Sequence, residues 1–533
     1  MKFNIPLFPF LFAVYPLFAL MARNPGEIVP TMALRFTLIL CALTLAVIWL
    51  LHALTRDWVR SVLLGTLAIW FFSSSGHVYR LMVDYAFASA SAWLHPVIIL
   101  VFFGLLVFLA QKRVWTLLKA ERWWKTVFGY LNLLGGLSLV LAIWPIMQFW
   151  MKAYDDTPRP WAESFAPQTV TLTAPSSPPD IYYIILDGYG RQDALADVYG
   201  YDNSEFVEFL SSRGFYVADE ARSNYVQTPL SLSSSLNFDY INFAEEYAGA
   251  DSINRIPLFD LLKDSRTVQL LRDQGYRVVA TSSGYPFTEF LDADEYLSPY
   301  RPSLNELERF FLSTTALDAV ISTDTKIGDS LRTYLPLPGY QASRERIIFS
   351  LEELQTIPRL AGPKFVFVHI VGPHPPFVID RNGDPVHTDR PYLAGDGMAF
   401  GGTPEEYQRD YIEQLTYINR QMELAIDAIL AGSSQPPIIL IQGDHGPGSM
   451  LMRDSLEQTC LFERTSILSA YYIPNGSEWL SAYLTPVNSF RVVFNAVFDA
   501  GLPLLANETY FSPQSWPYDF TPVSDQIETT CKK

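Results

Sequence analysis

Residues Pro436–Ser449 read PPIILIQGDHGPGS: an unbroken apolar run that ends on Asp444-His445-Gly446. A short β-branched run bounded by Pro and Gly reads as a strand buried on both faces, as in a parallel sheet. Earlier in the chain IYYIILDGYG repeats the arrangement, with Asp187 just past Leu186. Open α/β sheets bind ligands at the carboxyl ends of their strands. An Asp and an Asp-His pair delivered to one such edge suit a divalent ion such as Mn²⁺, Zn²⁺ or Mg²⁺.

Working outward, the chain changes character near residue 150. Of its 533 residues, the first 150 carry eleven Lys/Arg and four Asp/Glu, and the remainder 27 and 51. So acidic a second part argues against nucleic acid, whose binders carry basic patches. The first part holds five apolar stretches, Ile5–Met21, Phe36–Leu54, Ser61–Tyr79, Trp93–Leu109 and Val127–Trp150. Each approaches or exceeds the ~20 residues that cross a bilayer. The third is diluted by Ser73-Ser74-Ser75-Gly76-His77. The first lacks a small-residue cleavage site and is expected to be retained. Lys112, Arg113, Lys119, Arg122 and Lys125 make the loop before the fifth stretch the most basic. By the positive-inside rule that loop is cytoplasmic, and residues 151–533 lie outside. Three regions are therefore expected: a helical membrane domain over 1–150, a Pro/Ser/Thr-rich linker over 151–180, and a globular domain over 181–533.

In the globular part, strands are predicted at Ile181–Leu186, Arg277–Thr281, Phe365–Ile370, Ile438–Ile441 and Ser469–Ile473. Amphipathic patterns predict helices at Ser204–Arg213, Pro257–Gln274 and Pro404–Ala431. This alternation predicts a mainly parallel α/β sheet. Phe377–Gly402 reads as an irregular loop on the edge that carries the motifs. Cys460 and Cys531 fall in the exported part, where a disulfide is permitted and two free thiols are equally compatible.

Four segments carry the chemistry: Asp187-Gly188-Tyr189-Gly190; SNYVQTPLSLSS with Asn224, Thr228 and Ser231; HIVGPHPPF with His369 and His374; and Asp444-His445. A hydroxyl set among carboxylates, imidazole and a metal becomes a nucleophile, and Thr228 and Ser231 are the candidates. A helix starting near Pro229 would add its dipole to an anion site. Histidines at the neighbouring strand end could protonate a leaving oxygen or hold the anion. Singly, each segment also reads as an ordinary turn, cap or loop.

Together, in this order, the four segments resemble the alkaline phosphatase superfamily, and within it the membrane-anchored, sulfatase-like phosphotransferases typified by lipoteichoic acid synthase and the phosphoethanolamine transferases. The resemblance implies an extracytoplasmic sulfatase-like domain on several membrane spans, in a cell membrane. It implies one divalent metal, Mn²⁺ or Zn²⁺, held by Asp187, Thr228, Asp444 and His445, with a second metal left open. It makes Thr228 the nucleophile that carries a phospho-intermediate, and has His374 and His369 contact the transferred group. Asn224 and Arg464 are added as candidate substrate contacts, Arg464 being equally readable as a structural ion pair. The expected partners are a phospholipid donor, with a phosphoglycerol or phosphoethanolamine head group, and a glycan or lipid acceptor. A phosphatase, phosphodiesterase or sulfatase-like hydrolase is the alternative. The C/S-x-P-x-R segment from which sulfatases make formylglycine is absent, which disfavours sulfate esters. The Asp-x-x-x-His segment of the two-metal phosphodiesterases is also absent.

Overall fold

The computed structural model describes residues 6–533 apart from 27, 86–93, 110, 112–120, 156–169, 302–303, 322–324, 336, 338, 387, 389–391, 393–394, 475, 529 and 532–533. Lys112, Arg113 and Lys119 of the basic loop, residues 156–169 of the predicted linker, and His387 lie outside the described residues. The chain divides into two compact units. One comprises Met1–Asp155 with Tyr300–Pro338, the other Asp156–Pro299 with Gly339–Lys533.

The first unit is helical. Helices run over Phe8–Arg23, Leu34–Thr55, Trp58–Tyr85, Leu94–Leu109 and Glu121–Asp155, one for each predicted apolar stretch. Three segments, Pro30–Thr55, Trp58–Met82 and Trp123–Met151, are long and apolar enough to cross a membrane. The first and fourth helices are apolar but shorter. The expectation that 181–533 forms one catalytic domain meets an exception here: Tyr300–Pro338 belongs to the helical unit. Its short helices, Glu306–Ser313 and Lys326–Tyr334, carry soluble-looking caps and charges, so nothing in their pattern marks them as packing on apolar spans.

The second unit is a seven-stranded sheet. Its strands are β1 (Ile181–Leu186), β2 (Tyr216–Val217), β3 (Arg277–Thr281), β4 (Glu295–Leu297), β5 (Lys364–Ile370), β6 (Ile438–Gln442) and β7 (Ser469–Tyr472), in the order β2-β7-β6-β1-β5-β3-β4. The β6-β1-β5-β3-β4 block is parallel, and β7 and β2 add antiparallel pairs at one edge. In β1, β5 and β6 every residue is buried, because side chains alternate between two covered faces. Ile181, Tyr183 and Ile185 join the core that contains Leu230, Leu232 and Leu236. Tyr182, Ile184 and Leu186 join the other, built against Tyr411, Leu415, Ile418 and Met422 of the long helix Pro404–Gly432. That helix starts with a capping box made by Thr403 and Glu406. The predicted helix Pro257–Gln274 is two helices, Ile256–Lys263 and Arg266–Asp273, since Ser265 caps the second by accepting from the Val268 N–H at 3.5 Å.

Register brings the strand ends level. Ile185 stands opposite both His369 of β5 and Gln442 of β6. The residues that follow these central parallel strands therefore emerge side by side.

Cys460 and Cys531 are disulfide-bonded, with Cα atoms 5.4 Å apart at a sequence separation of 71. In the chain-entropy view, closing a loop of that length stabilises the fold by up to about 4 kcal/mol. Reduction with dithiothreitol is expected to lower the melting temperature of the purified chain, and the Cys460→Ser, Cys531→Ser double variant should melt at that lower temperature with or without reductant.

Candidate metal centre and nucleophile

Asp187 is the first residue past β1, and Asp444 and His445 follow β6 by two and three positions. These three side chains are buried and their ligand atoms all lie within 4.8 Å of one another. His445 Nε2 is 3.3 Å from Asp444 Oδ2 and 3.6 Å from Asp187 Oδ1. Asp444 Oδ1 is held by the Gly188 N–H at 3.1 Å. Asp187 Oδ1 and Asp444 Oδ2 make no hydrogen bond among the described residues.

The protonation of His445 explains why. Its Nδ1 lies 2.9 Å from the Gly446 carbonyl, which can only accept, so Nδ1 carries the proton and Nε2 presents a lone pair. Burial pushes the imidazole pKa down, with Arg464 adding to the effect, so the ring is neutral at neutral pH. Lone pairs of two carboxylates and an imidazole thus face one another in a dry site. Uncompensated, that arrangement is costly, and a divalent cation among the three satisfies it. At Asp187 burial acts to raise the pKa, but His374 and His369 drive it below the ordinary carboxylate range.

Thr228 completes the cluster. Its Oγ1 lies 3.1 Å from His445 Nε2. The residue opens the helix Thr228–Asn237, with Pro229 in the first turn, where a fixed φ and a missing N–H cost nothing. All ten residues of this helix are buried. The leucines pack into the sheet, and the serines are spent on internal hydrogen bonds. Ser231 Oγ donates to the Asp444 carbonyl at 2.6 Å, and Ser235 Oγ pairs with the Tyr183 hydroxyl at 2.8 Å. Ser231 is thereby a brace for the Asp444 loop, and Thr228 is the hydroxyl that faces the acceptors.

The two other histidines line the same edge. His369 Nε2 is 3.4 Å from Asp187 Oδ2, and its Nδ1 pairs with Thr288 Oγ1 at 2.7 Å. His374 places its ring centroid 6.0 Å from that of His445. Its Nδ1 meets the Pro375 carbonyl at 2.5 Å, and its Nε2 stands 3.7 Å from Asp396 Oδ2. Asp396 went unnoticed in the sequence because it sits in the irregular 377–402 loop, where no period marks a functional position.

Arg464 and Asn224 are both engaged in hydrogen bonds within the fold. The Arg464 guanidinium donates to the Val226 carbonyl from Nε at 3.0 Å and Nη2 at 2.8 Å, to the Gly446 carbonyl from Nη1 at 3.1 Å, and to Asp396 Oδ2. It ties together the segment before Thr228, the turn after His445 and the loop behind His374. Asn224 gives its amide N–H groups to the Glu508 carbonyl at 2.8 Å and the Tyr240 hydroxyl at 3.2 Å, and accepts from the Val487 N–H at 2.8 Å. It ties this loop to the Glu508 and Val487 segments. Behind them, Arg453 Nε donates to the Asp396 carbonyl at 3.0 Å, and its Nη nitrogens make no hydrogen bond among the described residues. Among the described residues only Asp187, Asp444 and His445 group as metal ligands, and no second cluster of three forms.

The turn tolerates nothing larger than glycine at 446. A Cβ there would lie 2.0 Å from the Glu463 carbonyl oxygen. Glu463 is buried and anchors the following residues, accepting from Tyr199 and from the Ser449 and Met450 N–H groups.

Two outcomes follow. Asp187→Asn and Asp444→Asn should each strip the chain of tightly bound divalent metal, whereas His374→Gln should retain it, as read by inductively coupled plasma mass spectrometry of the dialysed protein. Arg464→Met leaves Asp396 buried without its partner and should cost about 3–5 kcal/mol at neutral pH by urea unfolding in detergent. In the intact protein burial acts to raise the Asp396 pKa, but Arg464, His374, His445 and the Tyr407 hydroxyl overcome it and hold the group low. A depressed folded pKa stabilises above the unfolded value of about 3.9, and that stabilisation is lost as pH falls through the folded value. The Arg464→Met deficit should therefore shrink as pH falls through the carboxylate range.

With this geometry in place, comparison with known proteins gives a family. Among solved structures, the C-terminal periplasmic domain of EcEptC from Escherichia coli, in complex with Zn, is similar at 12% identity and a TM-score of 0.41, covering 67% of this chain and 98% of that one. The integral membrane lipooligosaccharide phosphoethanolamine transferase A of Neisseria meningitidis is similar at 12% identity and a TM-score of 0.37, covering 92% of this chain and 95% of that one. A 2-O GAG sulfatase, BT1596, is similar at 14% identity and a TM-score of 0.35, over 61% of this chain and 72% of that one. No curated protein matches. The sulfatase family model matches residues 179–475, more than half of the chain and every residue of the cluster, and the chain belongs to the sulfatase family.

Proposed function

We propose that the chain is a membrane-anchored phosphotransferase whose catalytic unit works outside the cytoplasm. The observation that carries this reading is Thr228 Oγ1, at a helix start and 3.1 Å from His445 Nε2, in a site where one buried oxygen each of Asp187 and Asp444 has no hydrogen-bond partner among the described residues. Sulfate-ester hydrolysis in this family depends on a formylglycine made from Cys or Ser, and position 228 is Thr followed by PLSLSS without the Arg. A threonine hydroxyl is a nucleophile for phosphorus without prior oxidation.

Asp187, Asp444, His445 and Thr228 would hold one divalent cation, Mn²⁺ or Zn²⁺. Bound there, it would lower the pKa of the Thr228 hydroxyl and neutralise phosphate oxygens. Thr228 Oγ1 attacks the phosphorus of a phospholipid head group as its proton passes to solvent water. The bond from phosphorus to the diacylglycerol oxygen breaks, and His374, positioned by Asp396, protonates the departing alkoxide. In the second half-reaction a hydroxyl of a cell-surface glycan or lipid attacks the same phosphorus and Thr228 is released. Arg453 binds a non-bridging phosphate oxygen through its free Nη groups, and the first turn of the Thr228–Asn237 helix adds N–H groups and dipole. His369 stays close to Asp187 and fixes its carboxylate.

The membrane helices keep the site at the surface that supplies the donor and receives diacylglycerol. The disulfide supports an oxidising, extracytoplasmic location, and the basic loop 112–125 supports the same orientation.

Incubating the chain with phospholipid extract and mapping its peptides by mass spectrometry tests the reading. The Thr228 peptide should gain the mass of a phosphorylated head group. Full turnover in Thr228→Ala, or label on another residue, would overturn the threonine intermediate. Analysis of the same reaction separates the acceptors, since free phosphorylated head group means water and a modified glycan or lipid means transfer. Arg453→Ala is expected to raise KM for the phospholipid about 10- to 100-fold with a smaller change in kcat, as expected for loss of a charge-assisted contact made in the ground state.

A further inference from the structure

Residues Tyr300–Pro338 interrupt the catalytic sequence between β4 and the helix Tyr340–Glu353, yet they fold in the helical unit. Leu307, Phe311, Leu312 and Ile321 share one core with Leu17, Met21, Phe36 and Leu40 of the first two membrane helices. The Phe311 and Phe36 rings meet edge-on with centroids 5.9 Å apart. Polar contacts fix the docking. Glu308, fully buried, pairs with Arg35, and Asn305 Nδ2 donates to the Met32 carbonyl at 3.0 Å.

Backbone contacts reach the third membrane helix as well. The Gly76 N–H donates to the Thr314 carbonyl at 2.9 Å, and the Ala316 N–H donates to the Phe72 carbonyl at 2.9 Å. A Cβ on Gly76 would sit 2.8 Å from the Thr314 carbonyl carbon and oxygen, so only glycine admits this approach. The Ser73–Gly76 run that dilutes the third apolar stretch is thus the place where the insert lies, and Ser73 and Ser75 are buried there. Irregular backbone next to apolar helices is tolerated when its N–H and C=O groups find such partners.

Two apolar side chains of the insert stay exposed. Phe310 is 43% exposed on the helix that buries Leu307 and Phe311, and Ile327 is 67% exposed on the helix Lys326–Tyr334. In the Pro30–Thr55 span Leu34 and Leu38, each 64% exposed, flank the Arg35 that holds Glu308. What covers such a span is lipid hydrocarbon.

We propose that residues 300–338 form a membrane-interface element, docked on the spanning helices through Glu308, Phe311 and Thr314 and turning Phe310 and Ile327 to bilayer lipid. The catalytic sequence is then anchored to the membrane unit through this insert as well as through residue 155. The assignment rests on the apolar spans and not on the phosphotransferase reading.

Single cysteines at Phe310→Cys and Ile327→Cys, in a Cys41→Ser background that keeps the disulfide, would carry a nitroxide spin label. The full chain is reconstituted in vesicles of phosphatidylethanolamine and phosphatidylglycerol, and power-saturation electron paramagnetic resonance compares collisions with oxygen and with a water-soluble nickel chelate. Labels at Leu38→Cys and at the exposed Glu208→Cys serve as lipid and water references. Both insert labels should follow Leu38, with oxygen access exceeding nickel access. Readings like Glu208 would overturn the proposal, and so would labels shielded from both reagents, which would assign the face to a protein partner. Gly76→Val, which removes room for Thr314, should shift both insert labels towards nickel access; labels that stay unmoved would overturn the docking through Gly76.

Discussion

Two carboxylate oxygens and one imidazole nitrogen, all buried, converge at the ends of β1 and β6 with lone pairs and no proton between them. That is the constraint on which the catalytic unit is built. Left alone, such acceptors repel each other in a medium that screens them poorly. The surrounding structure nonetheless spends much of its polar inventory on holding them together. The Gly188 N–H fixes Asp444, the Gly446 carbonyl fixes the His445 tautomer, and Ser231 braces the Asp444 backbone. A site held against its own repulsion is a site organised around a cation.

Around it, Arg464 acts as the internal strut. A buried guanidinium is expensive unless every donor is used, and here it reaches three separate segments. The expense is consistent with a requirement for geometry: Thr228, His445 and His374 come from elements far apart in sequence. Fixing their relative positions before substrate arrives is what the proposed Thr228 nucleophile would require. The same logic explains why the Thr228–Asn237 helix is wholly buried in spite of four serines, since each hydroxyl fastens the helix to a neighbour or to its own backbone.

Much of this was legible in the sequence, for physical reasons. Strands buried on both faces read as unbroken apolar runs, so β1, β5 and β6 could be located, and with them the tips that carry Asp187, His369 and Asp444-His445. The five apolar stretches matched five helices, three of them long and apolar enough to cross a bilayer. Less local features were hidden. Asp396 and Arg453 lie in loops without period, and Arg464 and Asn224 look like ligand contacts until their hydrogen bonds are known. The insert misled most: capping boxes and charges make Glu306–Ser313 read as an ordinary surface helix, whereas its buried Glu308 answers an arginine more than 270 residues earlier. Pairings of that range leave no trace in a local pattern.

The central claim is that Asp187, Asp444, His445 and Thr228 hold one divalent ion. Anomalous diffraction from crystals of the full chain grown with Mn²⁺ or Zn²⁺ tests it most directly. The account predicts one strong peak within about 2.0–2.3 Å of Asp187, Asp444 and His445, with the Thr228 hydroxyl in the same coordination shell. A cluster with no peak, or a peak bound by His374 and Asp396 with Thr228 outside its shell, would contradict it.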